Sequence, residues 1–429
     1  MPEVDDAPVI VSSVPGSFAR SVLAERHPAL IQQVRDAFPW PPERHRALDA
    51  LLTSCTEGVI EPLGPDAHDR DQWDAWGGEY VGRSWFDVPF LWSESYFYRR
   101  LLGATGYFAP GPWQGIDPFA PFKGAELRGS LVDDELAALD ALARRPVGER
   151  AAAYLQGSLW GNRADLGFAA GSPDGARTAA RPGTSDADAG DEAVKGSSGA
   201  SAVEDPPPLV ADDSDALWAL LPAGRSPGAV RTVHVIADNA GRELIPDLVL
   251  IDHLLTTERA DGVVLHVKPY PYYVSDATTA DVVDCVRRLA QASGSAGGAG
   301  ERLWAAMGDG RLAVRAHAFY CAPFPYSEMP ADLRGEFAGA ALTIVKGDLN
   351  YRRLVGDRLW APTTPFAERT EYFPGPVAAL RTLKSDVIVG LDPRTVARLE
   401  DADASGGARD GVNQAWRTSG THALIQVRP

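Results

Sequence analysis

From Arg231 onward the chain alternates short apolar runs with helix-like patterns, and this alternation limits the fold more than any other feature. Val233–Ala237 reads as a strand and Ile245–Leu255 as a helix; Val263–Val267 and Ala280–Ala292 repeat the pair. Ala313–Ala318, Leu342–Lys346 and Val387–Gly390 are further strands, while Ser293–Gly300 and Ala404–Gly411, rich in small residues, read as surface loops. Strands separated by helices need crossover connections, which set neighbouring strands parallel and cover both faces of the sheet. The expected fold class is therefore α/β, a Rossmann-like α/β/α sandwich with a mainly parallel sheet.

The first part of the chain has a different texture. Ser17–His27, Pro28–Phe38, Glu43–Cys55, Trp85–Leu102, Val132–Leu142 and Glu149–Leu159 carry apolar residues at helical spacing. Trp85–Leu102 is so aromatic that it reads as a helix covered on two sides. Residues 169–208 are mostly Ala, Gly, Ser, Asp and Pro, too apolar-poor to offset the entropy of ordering them. Ser214 can cap a helix over Asp215–Leu221. The expected organisation is a helical domain over 1–168, a disordered insertion or linker over 169–208, and an α/β/α domain over 209–429.

The formal net charge of -17 opposes binding to nucleic acid or to an anionic membrane surface, both of which need a basic face. No run approaches the ~20 apolar residues of a membrane span, and Met1–Ala7 lacks the basic start of a signal peptide. Cys55, Cys285 and Cys321 form no C-x-x-C pair, which fits buried thiols in a reducing compartment. The expected location is cytoplasmic.

Three apolar runs end abruptly in polar residues. After Val233–Ala237 come Asp238, Asn239, Gly241 and Glu243, then a helix starting near Pro246. Ligands of open α/β sheets sit at the carboxyl ends of strands, where Asp238 and Asn239 offer hard oxygen ligands for a divalent cation and the helix N-terminus favours a phosphate. The same residues are also ordinary turn formers. After Val263–Val267 comes Lys268-Pro-Tyr-Pro-Tyr-Tyr-Val-Ser-Asp276, in which Asp276 can be either a third metal ligand or the cap of the following helix. After Leu342–Lys346 come Gly347, Asp348, Asn350 and Arg352; the cations suit a phosphate, the Asp and Asn suit hydroxyls or a metal shell, and Gly347 permits close backbone approach. Lys384, ahead of Val387–Gly390, is a weaker phosphate candidate. The eight histidines show no H-x-x-x-H or H-E-x-x-H spacing, and His234 and His266, inside strands, read as core residues. No G-x-S-x-G, P-loop or G-x-G-x-x-G motif follows a strand.

Taken together, Ala237–Leu255, Lys268–Val282, Lys346–Trp360 and Arg381–Leu391 resemble the damage-control phosphatases, in the branch that includes the acidic-residue methyltransferase-like proteins. Arg26–Phe38, Trp85–Leu102 and Leu159–Leu166 resemble the same family, so that the likeness covers nearly the whole chain outside 169–208. The resemblance implies a helical domain packed on a Rossmann-like domain. It implies a phosphatase using Mn²⁺, Co²⁺, Ni²⁺ or Mg²⁺, with the metal held by Asp238, Asn239 and Asp276. It implies substrate contacts from Glu243, from the run Asp348, Asn350 and Arg352, and from Lys384. The implied substrates are small phosphorylated metabolites, sugar phosphates such as fructose 1-phosphate among them. Arg242 stands where the family often has an aromatic residue and Pro246 where it often has Thr; both bear on substrate preference.

The expected chemistry is cation-assisted, in-line attack of water on a phosphoryl group, with Lys384 and Arg352 spreading the developing charge. A second reading from the same branch is an S-adenosylmethionine-dependent protein carboxyl methyltransferase; a third is a metabolite-binding protein without turnover. Glu94 and Arg99 are candidates to line the pocket from the helical side.

Overall fold

The computed structural model describes residues 7–161, 209–224, 228, 230–405 and 415–429; the 169–208 segment and most of the Ala404–Gly411 loop lie outside them. Seven strands, β1 (Ala211–Asp212), β2 (Thr232–Ile236), β3 (Gly262–Val267), β4 (Leu312–Ala316), β5 (Leu342–Lys346), β6 (Val377–Thr382) and β7 (Ala423–Arg428), form one sheet. Their order is β1-β7-β6-β5-β2-β3-β4. All neighbours are parallel except β6 and β7. The residues of β2, β3 and β5 are almost all buried, as near-continuous Val/Ile/Leu runs require when both sheet faces are covered.

The chain builds outward from β2 through β3 to β4, then returns to lay β5 on the other side of β2. The strand order therefore reverses between β2 and β5. Connections leaving these two carboxyl ends diverge and open a crevice there, the usual ligand position of such sheets.

Two cores flank the sheet. Val233, Val235 and Leu265 meet Leu244 and Leu248 of helix Leu244–Thr256 on one face; Ile236 and Val345 meet Phe337, Tyr351 and Phe373 on the other. A third core, with Ile31, Leu48, Trp85 and Phe97, joins the helices between Phe18 and Thr105. Helices Ser130–Ala143 and Val147–Trp160 do not belong to that third core. Their Leu136, Leu155 and Leu159 pack in the same core as β2.

The structure corrects several boundaries. Val387–Gly390 is no strand: Val387, Ile388 and Val389 are fully buried in an irregular segment. Its carbonyls are taken by Arg381 and Gln426, and the Tyr351 hydroxyl accepts from Val389 N. The strands nearby are instead β6 and β7. Ser293–Gly300 is not a loop but the start of helix Gly294–Asp309. Its small residues serve contact: a Cβ on Gly300 would stand 2.2 Å from Ala290 N, so glycine lets this helix close on the end of helix Thr279–Ala290. Trp85–Leu102 divides at Pro89 into a turn, Trp85–Asp87, and helix Phe90–Thr105.

Candidate active site

Beyond the sheet, the segments following β2 and β3 stay together. Asn239 and Asp276 form an isolated antiparallel bridge, Ala240 N donates to Ser275 O at 2.6 Å and Ala277 N to Asp238 O at 2.9 Å. Residues distant in the chain are thereby fixed at one edge. The aromatic loop between them is anchored on helix Phe90–Thr105. Tyr272 Oη donates to Ser95 Oγ (2.7 Å), Tyr273 Oη donates to Glu94 Oε2 (3.0 Å), and the Tyr273 ring stacks on Tyr98. These anchors hold Tyr273 at φ 46° and Val274 at φ 64°. Left-handed backbone at a β-branched residue costs about 1–3 kcal/mol and persists only where surrounding contacts impose it. Thr278 caps helix Thr279–Ala290, in a capping box with Asp281, which removes the capping role from Asp276.

The side chains converge. Asn239 Nδ2 donates to Asp238 Oδ2 (3.1 Å) and Glu243 Oε2 (2.9 Å), while Ser275 Oγ donates to Asn239 Oδ1 (2.6 Å). Lys268 Nζ forms a buried ion pair with Asp276 Oδ2 at 3.3 Å. Lys123 Nζ donates to the Asp276 carbonyl (3.1 Å) and to Asp281 Oδ2 (3.0 Å), tying the Asp276 loop to helix Ala120–Leu127. Burial, then the Glu243 and Asp276 carboxylates, pushes the Asp238 pKa well above the ordinary range, against the pull of Lys384 and Lys268. Burial likewise lifts Asp276 to about 6, opposed mainly by Lys268.

Asp238, Glu243, Asp348 and Lys384 border one small cavity at the β2/β5 crevice, roofed by Leu159 and Trp160. Its volume of about 20 Å³ suits an ion or a single water. Asp348 Oδ1 accepts from Arg381 Nε (2.8 Å) and from Lys384 N (3.2 Å). Lys384 is exposed and follows β6 instead of preceding a strand.

Two residues expected at the substrate stand elsewhere. Asn350 is fully buried: its Nδ2 donates to the Ala237 and Lys346 carbonyls (3.0 and 2.9 Å) and its Oδ1 accepts from Tyr326 Oη. It stitches the end of β2 to the end of β5. Arg352 lies outside the cavity, between Glu94 (3.0 Å) and Asp357 (2.7 Å), with its guanidinium over Phe90. Lys346 is spent on Asp247 (2.9 Å) and Ser158. Arg99 pairs with Asp69, remote from the crevice. Lys268 and Lys123 went unassigned in the sequence; the first follows directly on β3, but nothing in the local pattern marks the second.

The donor set fits a divalent cation. Two buried carboxylates, Asp238 and Asp276, and the amide oxygen of Asn239 gather at one edge, where Lys268 pairs with Asp276 and the neighbouring carboxylates raise the Asp238 pKa. Among the described residues a separate group, His234, His266 and Glu336, brings one ligand atom from each within 4.8 Å of the others.

Residues 22–399 match the damage-control phosphatase ARMT1-like domain. The chain is 32% identical to mouse damage-control phosphatase ARMT1 over 367 residues, covering 80% of this chain and 74% of the mouse protein. It is 30% identical to the zebrafish protein of that name, covering 86% and 82%, and 28% identical to the human one, covering 96% of each. A distant structural likeness, with TM-score 0.43 and 14% identity, is to a DUF89 family protein from Pyrococcus horikoshii, over 89% of this chain and 93% of that one. With the family domain spanning most of its length, this chain belongs to the damage-control phosphatase ARMT1-like family, a family of phosphatases.

Proposed function

We propose that the chain is a divalent-cation-dependent phosphatase of small phosphorylated metabolites, with sugar phosphates such as fructose 1-phosphate as its substrate class. The observation that carries this reading is the bridge that holds Asn239 and Asp276 together beyond the ends of β2 and β3, next to the cavity bordered by Asp238, Glu243, Asp348 and Lys384. Asp238, Asn239 through Oδ1, and Asp276 would hold Mn²⁺, Co²⁺, Ni²⁺ or Mg²⁺. Such a cation, when bound, supplies Lewis-acid polarisation of the phosphoryl group.

The chain's own groups do the remainder. Lys384, exposed at the mouth, is set to spread charge on the transferred phosphoryl oxygens. Glu243 and Asp348 border the same cavity and offer acceptors to substrate hydroxyls. Lys268 balances Asp276, and Lys123 fixes its backbone. Asn350 and Arg352 serve by positioning the strand ends and the Glu94 side of the aromatic loop.

The test is turnover of a sugar-phosphate panel with each of these metals, in the wild type and in Asp238→Ala. The variant should keep its fold and lose at least about 100-fold in rate. A folded Asp238→Ala protein that still turns over would sink the assignment.

A further inference from the structure

We propose that His234, His266 and Glu336 form a second metal site, for a zinc-type transition-metal ion, separate from the oxygen-rich crevice. His234 on β2 and His266 on β3 project from the sheet face opposite helix Leu244–Thr256, toward Phe337 and Tyr320. Both imidazoles are buried, and His234 Nδ1 lies 2.8 Å from His266 Nε2. Phe337 closes edge-on over both rings. Its neighbour on helix Ala331–Ala338, Glu336, brings a carboxylate oxygen within 4.8 Å of a ring nitrogen of each histidine.

A plain histidine pair in a core would leave less undone. Two neutral imidazoles facing each other share one proton, which accounts for the nitrogens alone. Glu336 Oε1 accepts from Arg315 (2.8 Å), but its Oε2 is buried and has no partner. The Tyr320 hydroxyl, on the ring beside His266, and Thr343 Oγ1, on the residue registered against His234, are also buried and unpartnered. Buried polar groups are nearly always bonded, so three stranded ones around a histidine pair mark a missing partner. One cation takes electron pairs from both nitrogens and the carboxylate at once.

Two imidazoles and a carboxylate are the donor set of zinc-type ions, not of the hard cations suited to the crevice. Tetrahedral geometry at such bond lengths separates ligand atoms by about 3.3 Å; the nitrogens need part only a few tenths of an ångström. Burial depresses His234 and takes His266 down to about 3, so both are neutral and able to ligate at physiological pH. The Glu336 side chain, 33% exposed, provides the way in from solvent. An ion there would pin β2 and β3, whose ends carry Asp238 and Lys268, to helix Ala331–Ala338.

The test is titration of the metal-stripped full-length protein with Zn²⁺ against a chromophoric chelator, with Co²⁺ absorption as the report on geometry. Wild type and Asp238→Asn should both bind Zn²⁺ here and show a tetrahedral Co²⁺ spectrum. Glu336→Gln should weaken that binding at least about 10-fold, and His234→Gln should abolish it. Glu336→Gln sits at the surface, so it decides the matter even where His234→Gln fails to fold. Zn²⁺ binding that is unchanged in Glu336→Gln, or lost only with Asp238→Asn, overturns the proposal.

Discussion

The Asp238 carboxylate lies so close over Gly347 that a Cβ on that glycine would stand 2.0 Å from Asp238 Cγ. Gly347 is also at φ 84°, a backbone region that side chains resist. Gly347→Ala must therefore displace Asp238 or twist the end of β5. We expect the variant to fold and to lose at least about 100-fold in kcat/KM, with a matching loss of Mn²⁺ affinity by calorimetry. Mn²⁺ binding at wild-type strength would show that Asp238 is no ligand.

Asp238 pays for its position in the absence of metal. Its ionised form is disfavoured by burial and by the Glu243 and Asp276 carboxylates. In chelator at pH 7, Asp238→Asn should raise Tm by roughly 2 °C. With Mn²⁺ added, the order should invert, because only the wild type gains from binding. Scanning fluorimetry under both conditions checks the inversion.

Arg352 separates a scaffold role from a substrate role. It sits buried between Glu94 and Asp357. Removing one member of such a cluster strands buried charge, at about 3–5 kcal/mol. Arg352→Met should lower stability by that order in urea unfolding. A variant as stable as wild type but with raised KM would return Arg352 to the substrate.

His27 predicts a pH dependence. It stacks on Phe97 at 3.6 Å, and neither ring nitrogen has a partner. Burial, reinforced by Arg26, lowers its pKa to about 3, against about 6.5 in the unfolded chain. Between those values the unfolded state binds the extra proton. Its contribution to stability is complete above about pH 6.5 and is lost as pH falls toward 3, by up to about 1.4 kcal/mol per unit. His27→Phe should flatten the stability profile between pH 6.5 and 4 in denaturant titrations; an unchanged slope would assign the acid sensitivity elsewhere.

How far the sequence discloses this molecule depends on the range of the interaction. The strands β2, β3 and β5 are legible because full burial on two faces demands unbroken apolar runs. Asp238, Asn239, Glu243 and Asp276 stand out as candidates because each comes after such a run, at the sheet edge where ligands gather. β6 was missed since Val377-Ala-Ala-Leu-Arg-Thr382 is mild in β-propensity and draws its strand state from β5 and β7. Val387–Gly390 misled for the opposite reason, being apolar enough for a strand but bonded by side chains. Asn350 and Arg352 carry the right chemistry at the right spacing. Only the fold reveals that the helix Asp348–Val355 turns them away from the crevice, toward Tyr326 and Glu94.

Helices Ser130–Ala143 and Val147–Trp160 complete a core whose other half is encoded after them. During synthesis Leu155 and Leu159 emerge well before β2 and helix Leu244–Thr256, and until then their apolar faces lack a mate. The nascent chain thus passes through an interval of stickiness that chaperones are placed to cover. For the same reason the sheet cannot be cut loose and transplanted as a self-sufficient module: its lining would stay behind.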